Sequence, residues 1–179
     1  METITMEYNL EFAIDGRDVY CKGHPELEKR VGFTIGEGIA MFGISWGPLY
    51  IVNLKTGEMK QLIDDQRKVV GFTDDDFDWE RLEAIEHRRC LDDRIVAYSG
   101  LHRYSNFHNG VCCIYWMLYP DGSYFADEDG YGMEDNDEEN IYCFIDCHFN
   151  VLIPFQPMDD DERLRLEKVA ISMVSPEDD

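Results

Sequence analysis

Short apolar segments separated by turn residues constrain the fold of this 179-residue chain more than any other feature. From Ile4 to Ile14, apolar side chains occupy every second position, the period of a β-strand with one buried face. Asp15-Gly16 then predicts a tight turn into a second strand around Val19. The start of the chain therefore predicts a β-hairpin.

The same pattern recurs twice more. Residues 50–54 and 58–63 flank Gly57, which can adopt the positive φ of a short turn. Residues 141–145 and 151–155 form a second pair of apolar segments with a polar connection. Both pairs predict hairpins, so most of the sheet is expected to be antiparallel.

Two other segments predict strands of a different character. Five glycines interrupt the apolar residues of segment 32–47, which indicates irregular strands with bulges. Residues 111–119 form a continuous apolar run, typical of a central strand, and residues 120–123 predict a turn after it.

Helical signals occur at two places. Thr73 is a suitable N-cap for a helix over residues 74–90, whose buried stripe would contain Trp79, Leu82 and Ile85. A second helix is predicted over residues 159–174. Its expected buried residues are Leu166, Val169, Ala170 and Met173.

Together these elements predict an α+β fold with a largely antiparallel sheet built from hairpins and two main helices. The length of the chain suits one domain. We expect this domain to span residues 1–174 and to be followed by an acidic mobile tail over residues 175–179. The 44% apolar content supplies a core and argues against disorder.

The composition also limits location and partners. The chain begins without a secretory signal and has no apolar stretch of membrane-spanning length, so we expect a cytoplasmic protein. In that compartment its six cysteines stay reduced, and Cys112 with Cys113 should pack in the core. The net charge of −22 disfavours nucleic acids and anionic membranes as direct partners.

The negative charge is concentrated in one part of the chain. Residues 104–162 contain no Lys or Arg but 14 Asp or Glu. Such a field favours a cationic partner, and Tyr124, Tyr131 and Met133 add apolar side chains that could hold it. The predicted partner-binding residues are Asp74, Asp75, Asp76, Asp78, Tyr124, Asp127, Glu128, Asp129, Tyr131, Met133, Glu134, Asp135, Asp137, Glu138 and Glu139.

A small, acidic domain with reduced cysteines is similar in character to bacterial immunity proteins, which neutralise cationic nuclease toxins. The analogy rests on charge and size, and it implies a stoichiometric inhibitor of a basic toxin or nuclease domain, with no cofactor and no enzymatic activity. A nucleic-acid mimic that blocks a DNA-binding protein is an alternative with the same surface. A structural protein whose acidity only maintains solubility is another.

Enzymatic alternatives rest on weaker motifs. Residues 43–47 match the G-x-S-x-G pattern around Ser45, yet a strand rather than a helix is predicted after them. His102 and His108 could supply an acid and a base for phosphodiester cleavage, but the negative field would repel an RNA substrate.

Two groups of residues contain atoms that could bind a metal ion. Asp127, Asp129, Gly132, Asp135 and Glu138 partly fit a calcium loop, in which Tyr131 occupies a ligand position. A solvated acidic loop is the favoured interpretation. The possible zinc ligands are Cys21, His24, Cys143, Cys147 and His148, whose spacing matches no standard zinc motif.

Overall fold

Two antiparallel sheets form the framework of the protein. The computed structural model describes residues 11–43, 48–85, 91, 101–118 and 139–175, together with the backbone of residues 2–5. The first sheet has seven strands in chain order. They are β1 (Glu2–Thr5), β2 (Glu11–Asp15), β3 (Asp18–Lys22), β4 (Val31–Gly36), β5 (Ile39–Phe42), β6 (Leu49–Asn53) and β7 (Met59–Ile63).

The second sheet has four strands in the order β11-β10-β9-β8. They are β8 (Leu101–Arg103), β9 (Val111–Leu118), β10 (Glu139–Asp146) and β11 (Val151–Gln156). The described helices are a 3₁₀ turn (Asp74–Asp76), α1 (Trp79–Leu82) and α2 (Asp160–Val174). The predicted α+β fold built from hairpins is therefore confirmed, with β9 as a central strand.

The main core lies between the two sheets, because buried side chains of both belong to one apolar cluster. Ile39 and Ile51 contribute from the first sheet, and Ile114, Trp116 and Cys143 contribute from the second. A separate cluster covers the other face of the first sheet. Cys112 and Cys113 are both buried, which confirms their predicted packing role.

Helix α2 covers the outer face of the second sheet. Ala170 is fully buried against this face, and Leu166 packs beside it. Val169 and Met173 are 39% and 54% exposed, so their predicted burial is wrong. The side of α2 that contacts the sheet contains Leu166, Ala170 and Val174, which are spaced by four residues. Val169 and Met173 lie on a different side of the helix, away from the sheet.

The first predicted strand is in fact two strands. β1 pairs antiparallel with β2, with Ile4 opposite Phe12. The alternating pattern was correct for each half, but the period of two continues unchanged when a chain folds back on itself. Pattern alone therefore missed this reversal.

The first predicted helix is also interrupted. Asp74–Asp76 forms a 3₁₀ turn, Phe77 is extended with φ −121° and ψ 135°, and α1 then starts after Asp78. Phe77 forms a parallel bridge to Phe155 of β11. Its buried ring stacks on Phe155 with 5.1 Å between centroids, so tertiary packing overrides the helical signal. Residues 86–90 of the predicted helix lie outside the described residues.

The glycine-rich segment is irregular as predicted. The pairing of β4 with β5 shifts register between Thr34 and Gly36. Gly36 has φ +99°, and a Cβ there would lie 2.8 Å from the backbone oxygen of Phe107. This bulge brings the first sheet into close contact with the segment after β8, where Phe107 donates its N–H to Ile35.

Candidate functional site

Two acidic segments that are distant in sequence meet at the start of α2. The guanidinium of Arg81 in α1 forms a bidentate pair with Glu162, with Nη1–Oε1 and Nη2–Oε2 distances of 2.5 and 3.1 Å. Arg81 also donates to Gln156 at the end of β11. We call the combined region the acidic surface. It consists of Asp74, Asp75, Asp76, Asp78, Glu80, Asp159, Asp160, Asp161 and Glu162.

Several of these carboxylates have a local structural cause. The side chain of Asp159 accepts the backbone N–H of Glu162 at 2.8 Å, and Asp78 accepts that of Arg81 at 3.2 Å. Asp76 accepts the N–H of Thr73 at 2.8 Å. Each one satisfies a donor at the positive end of a helical segment. Capping therefore explains Asp76, Asp78 and Asp159, but it leaves Asp75, Glu80, Asp160 and Asp161 without such a role.

The acidic surface keeps a large net charge. Its nine carboxylates outnumber the three arginines, Arg81, Arg163 and Arg165, that form ion pairs with Glu162 and Asp160. The hydrogen bond and charge of Arg81 lower the pKa of Glu162 and keep this group ionised. The side chain of Asp160 is 88% exposed even though it pairs with Arg163.

Three tyrosines lie next to the acidic surface, on the outer face of the second sheet. We call Tyr104, Tyr115 and Tyr142 the tyrosine cluster. The ring of Tyr104 is nearly perpendicular to those of Tyr115 and Tyr142, at centroid distances of 6.0 and 5.5 Å. Such edge-to-face contacts match the charge distribution of aromatic rings. Burial raises the pKa of Tyr142.

Arg163 connects the tyrosine cluster to the acidic surface. Its guanidinium carbon lies 4.1 Å from the ring centroid of Tyr104 and 5.1 Å from that of Tyr142. The same guanidinium pairs with Asp160 at 2.7 Å. One arginine is thus held by tyrosine rings and a carboxylate together, a combination that recognises guanidinium groups well.

Some of the predicted partner-binding residues can now be placed. Asp74, Asp75, Asp76 and Asp78 belong to the acidic surface. Glu139 is half-buried at the start of β10, opposite Leu118. The other predicted residues lie outside the described residues. They are Tyr124, Asp127, Glu128, Asp129, Tyr131, Met133, Glu134, Asp135, Asp137 and Glu138.

The two described residues that flank the segment containing those residues are paired with each other across β9 and β10. It connects β9 to β10, and Leu118 pairs with Glu139 across its two ends. Glu139 is three residues from Tyr142 along β10, a separation of about 10 Å. Because this separation is an odd number of residues, Glu139 and Tyr142 lie on opposite faces of β10.

Sequence reasoning missed three parts of the site. The carboxylates of segment 159–162 carried a usable signal, since they lie in the segment without basic residues, but they were assigned only to the start of a helix. Tyr104 and Arg163 gave no local signal. Their contact joins residues 59 positions apart, and nothing in the neighbourhood of either one predicts it.

The residues of the enzymatic alternatives are not assembled within the described part of the chain. His102 is opposite Tyr115 on β9, and its ring stacks on that tyrosine at 5.4 Å. His108 bridges to Val111. Val111 is four residues from Tyr115 along β9, so the two histidines are paired with positions roughly 13 Å apart. Ser45 lies outside the described residues.

The proposed zinc ligands are dispersed. Cys143 is completely buried in the main core, where desolvation raises its thiol pKa well above the usual value. Cys21 belongs to the core on the other face of the first sheet. His148 is exposed and pairs with Glu58 at 2.9 Å. Among the described residues, no three His, Cys, Asp or Glu side chains are grouped so as to hold a metal ion.

The described cysteines are poor nucleophiles. All five are free thiols, and Cys21, Cys112, Cys113 and Cys143 are buried. Burial raises the pKa of Cys112 to about 12, so the reactive thiolate is scarce at neutral pH.

Comparisons with known proteins leave the geometry as the basis for a functional argument. None of the helices in the described ranges combines the length and the apolar character needed to cross a membrane. No family model, no curated protein and no solved structure matches this chain.

Proposed function

We propose that this protein is a non-catalytic, acidic protein-binding domain that acts in the cytoplasm as a stoichiometric inhibitor of a basic protein, of the kind represented by cationic toxin and nuclease domains. The observation that carries the proposal is the meeting of two acidic segments on one surface beside the tyrosine cluster. Each segment alone would be an ordinary solvated helix start. Their combination through Arg81 and Glu162 concentrates charge next to aromatic area.

In this arrangement, the charges attract the partner and the aromatic rings hold it once it is bound. An excess of carboxylates on one surface accelerates the encounter with a cationic protein, because long-range attraction guides diffusion. Aromatic rings supply contact area once water has been displaced. The free, buried thiols in the described ranges suit a reducing compartment, which supports the cytoplasmic assignment.

The proposal is tested by capturing partners from the lysate of the source cells at low salt and eluting them with a salt gradient. We expect one basic protein in equimolar amount, and we expect its activity to be lost in the complex. The association rate should fall at least tenfold between about 10 and 150 mM salt, since the Debye length shortens from about 30 to about 8 Å. An association rate that does not change with salt would contradict the proposal.

Charge-reversal variants locate the contact. In the test variant, Asp75, Glu80 and Asp161, which make no cap, are changed to Lys. The control variant carries Glu11→Lys, Asp15→Lys and Asp18→Lys at exposed positions on the first sheet. Both variants change the net charge equally, so only the position differs. Capture should be lost in the test variant and retained in the control; equal loss in both would mean that no particular surface is recognised.

A second variant examines the segment that the sequence singled out. Asp135, Asp137, Glu138 and Glu139 are reversed together, and we expect weaker binding without loss of folding. Circular dichroism provides the folding check. Competition with duplex DNA then separates a toxin inhibitor from a nucleic-acid mimic, because a mimic and DNA must exclude one another from the target.

A further inference from the structure

We infer that the tyrosine cluster makes this surface selective for arginine over lysine side chains of its basic partner, with Tyr104 as the principal contact. The inference rests on the proposed function, because it assigns a chemical preference to the same surface. It adds that attraction between opposite charges is only part of the recognition. The contact of the partner would be a guanidinium laid on an aromatic ring beside a carboxylate.

The first observation is the exposure of Tyr104. Its side chain is 48% exposed, an unusual state for a large aromatic residue that also has several ring partners. Tyr115 and Tyr142 contact the ring nearly at right angles and thereby fix its orientation. A rigid, half-exposed tyrosine is the kind of side chain that anchors protein interfaces at low entropic cost.

The second observation is the way in which the protein binds its own arginine. Arg163 lies 4.1 Å from the centroid of Tyr104 and pairs with Asp160 at 2.7 Å. The side chain of Arg163 is only 11% exposed, whereas Tyr104 next to it keeps almost half of its area open. The chain thus displays the guanidinium–tyrosine–carboxylate geometry at a tyrosine that keeps almost half of its surface exposed.

The charge around Tyr104 indicates which side chain of a partner would contact it. Tyr104 adjoins the acidic surface through Arg163 and Asp160, so a neutral or acidic partner is disfavoured. Among cationic side chains, a guanidinium is planar and weakly hydrated and stacks on aromatic rings, whereas an ammonium remains strongly hydrated. A segment with exposed arginines fits both features of the surface, and a lysine-rich segment fits only the charge.

The test measures the binding of two synthetic peptides, decaarginine and decalysine, by isothermal titration calorimetry at low salt. Wild-type protein should bind decaarginine about two- to fivefold more tightly than decalysine, as expected for one exposed cation–π contact. Tyr104→Leu, which keeps apolar bulk without an aromatic face, should lower the affinity for decaarginine to that for decalysine. Tyr104→Phe should retain the preference. Tyr20→Leu, at a 39% exposed tyrosine on β3, is the matched control and should change neither affinity.

The outcomes distinguish a failure of the arginine preference from a failure of the proposed binding function. If both peptides bind equally, or if Tyr104→Leu weakens both alike, the arginine preference is overturned while the acidic binding surface stands. If neither peptide binds, the proposed function fails and the inference fails with it. Thermal melting of each variant shows whether the loss of the Arg163 contact has unfolded α2.

Discussion

Arg81 shows how one residue can organise a surface of opposite charge. Its guanidinium pairs with Glu162 through two hydrogen bonds and contacts Gln156, which connects α1, β11 and α2. A bidentate pair is more specific than a single contact because both partners are held in one plane. Without Arg81, the two acidic segments would face each other without its positive charge between them.

Replacing Arg81 should produce a stability loss that depends on pH. Glu162 has a folded pKa below its usual value because of Arg81, so the pair contributes stability above the unfolded pKa, near 4.3. That contribution disappears as pH falls through the folded pKa. Because the side chain of Arg81 is 41% exposed, we expect Arg81→Gln to cost at most about 1 kcal/mol near neutral pH.

Urea denaturation at a series of values between about pH 3 and about pH 7 measures this effect. The difference between wild type and Arg81→Gln should shrink towards zero at the acidic end. Arg81→Lys, which keeps the charge but not the fork, should be intermediate. A difference that is the same at every pH would show that the ionised carboxylate is not responsible.

At the scale of elements, two residues that depart from the regular structure around them bring distant segments together. Phe77 leaves the helical pattern and joins the edge of β11, and this sets the 3₁₀ turn of acidic residues beside β11. Gly36 allows the bulge in β4 that contacts Phe107. Both deviations from regular structure place one segment against another that is distant in sequence.

The close approach at Gly36 predicts a position-specific effect of alanine. Gly36 and Gly16 both have positive φ, +99° and +65°, so alanine is strained at each of them by about 1–2 kcal/mol. Only at Gly36 does the new methyl group also meet backbone, at 2.8 Å from the oxygen of Phe107, whereas nothing lies within 4 Å at Gly16. Gly36→Ala should therefore be the more destabilising change by about 1 kcal/mol or more.

The comparison of Gly36→Ala with Gly16→Ala is made by the urea midpoint and slope for both variants. Gly16→Ala serves as the internal control for backbone strain without steric contact. Equal losses in the two variants would mean that the chain after β8 moves away at little cost, and that the bulge does not hold the two sheets together.

For the whole molecule, charge opposes folding. A net charge of −22 is carried by 179 residues, and the mutual repulsion of the carboxylates destabilises the compact state. The acidic surface contains nine of the carboxylates, and the proposed binding function explains why they are grouped. Grouping like charges destabilises the folded state, and salt should reduce this destabilisation.

Salt should therefore stabilise this protein. Raising NaCl from about 10 to about 150 mM should increase Tm by about 2–4 °C, equivalent to about 1 kcal/mol for a chain of this size. Near pH 4.3, where the net charge is close to zero, the same addition should have little effect. Calorimetry at both pH values makes the comparison. A Tm that is unchanged or lower at neutral pH would contradict the role given to self-repulsion.

The amino-acid sequence by itself determined the hairpins, the central strand and helix α2. These depend on residues that are neighbours in the chain, such as Asp159 with Glu162 and Gly57 between two apolar segments. It also determined the acidic character of the protein. Because these signals are local, they can be recognised without knowing which segments pack together.

Only the tertiary structure decided the extended state of Phe77, the pairing of Arg81 with Glu162 and the contact of Arg163 with Tyr104. It also decided which face of α2 is buried, and so exposed Val169 and Met173. Each of these features joins segments from different parts of the chain. Their free energy comes from packing, ring contacts and charge pairing that exist only after the sheets have formed, and periodicity in sequence carries no record of such contacts.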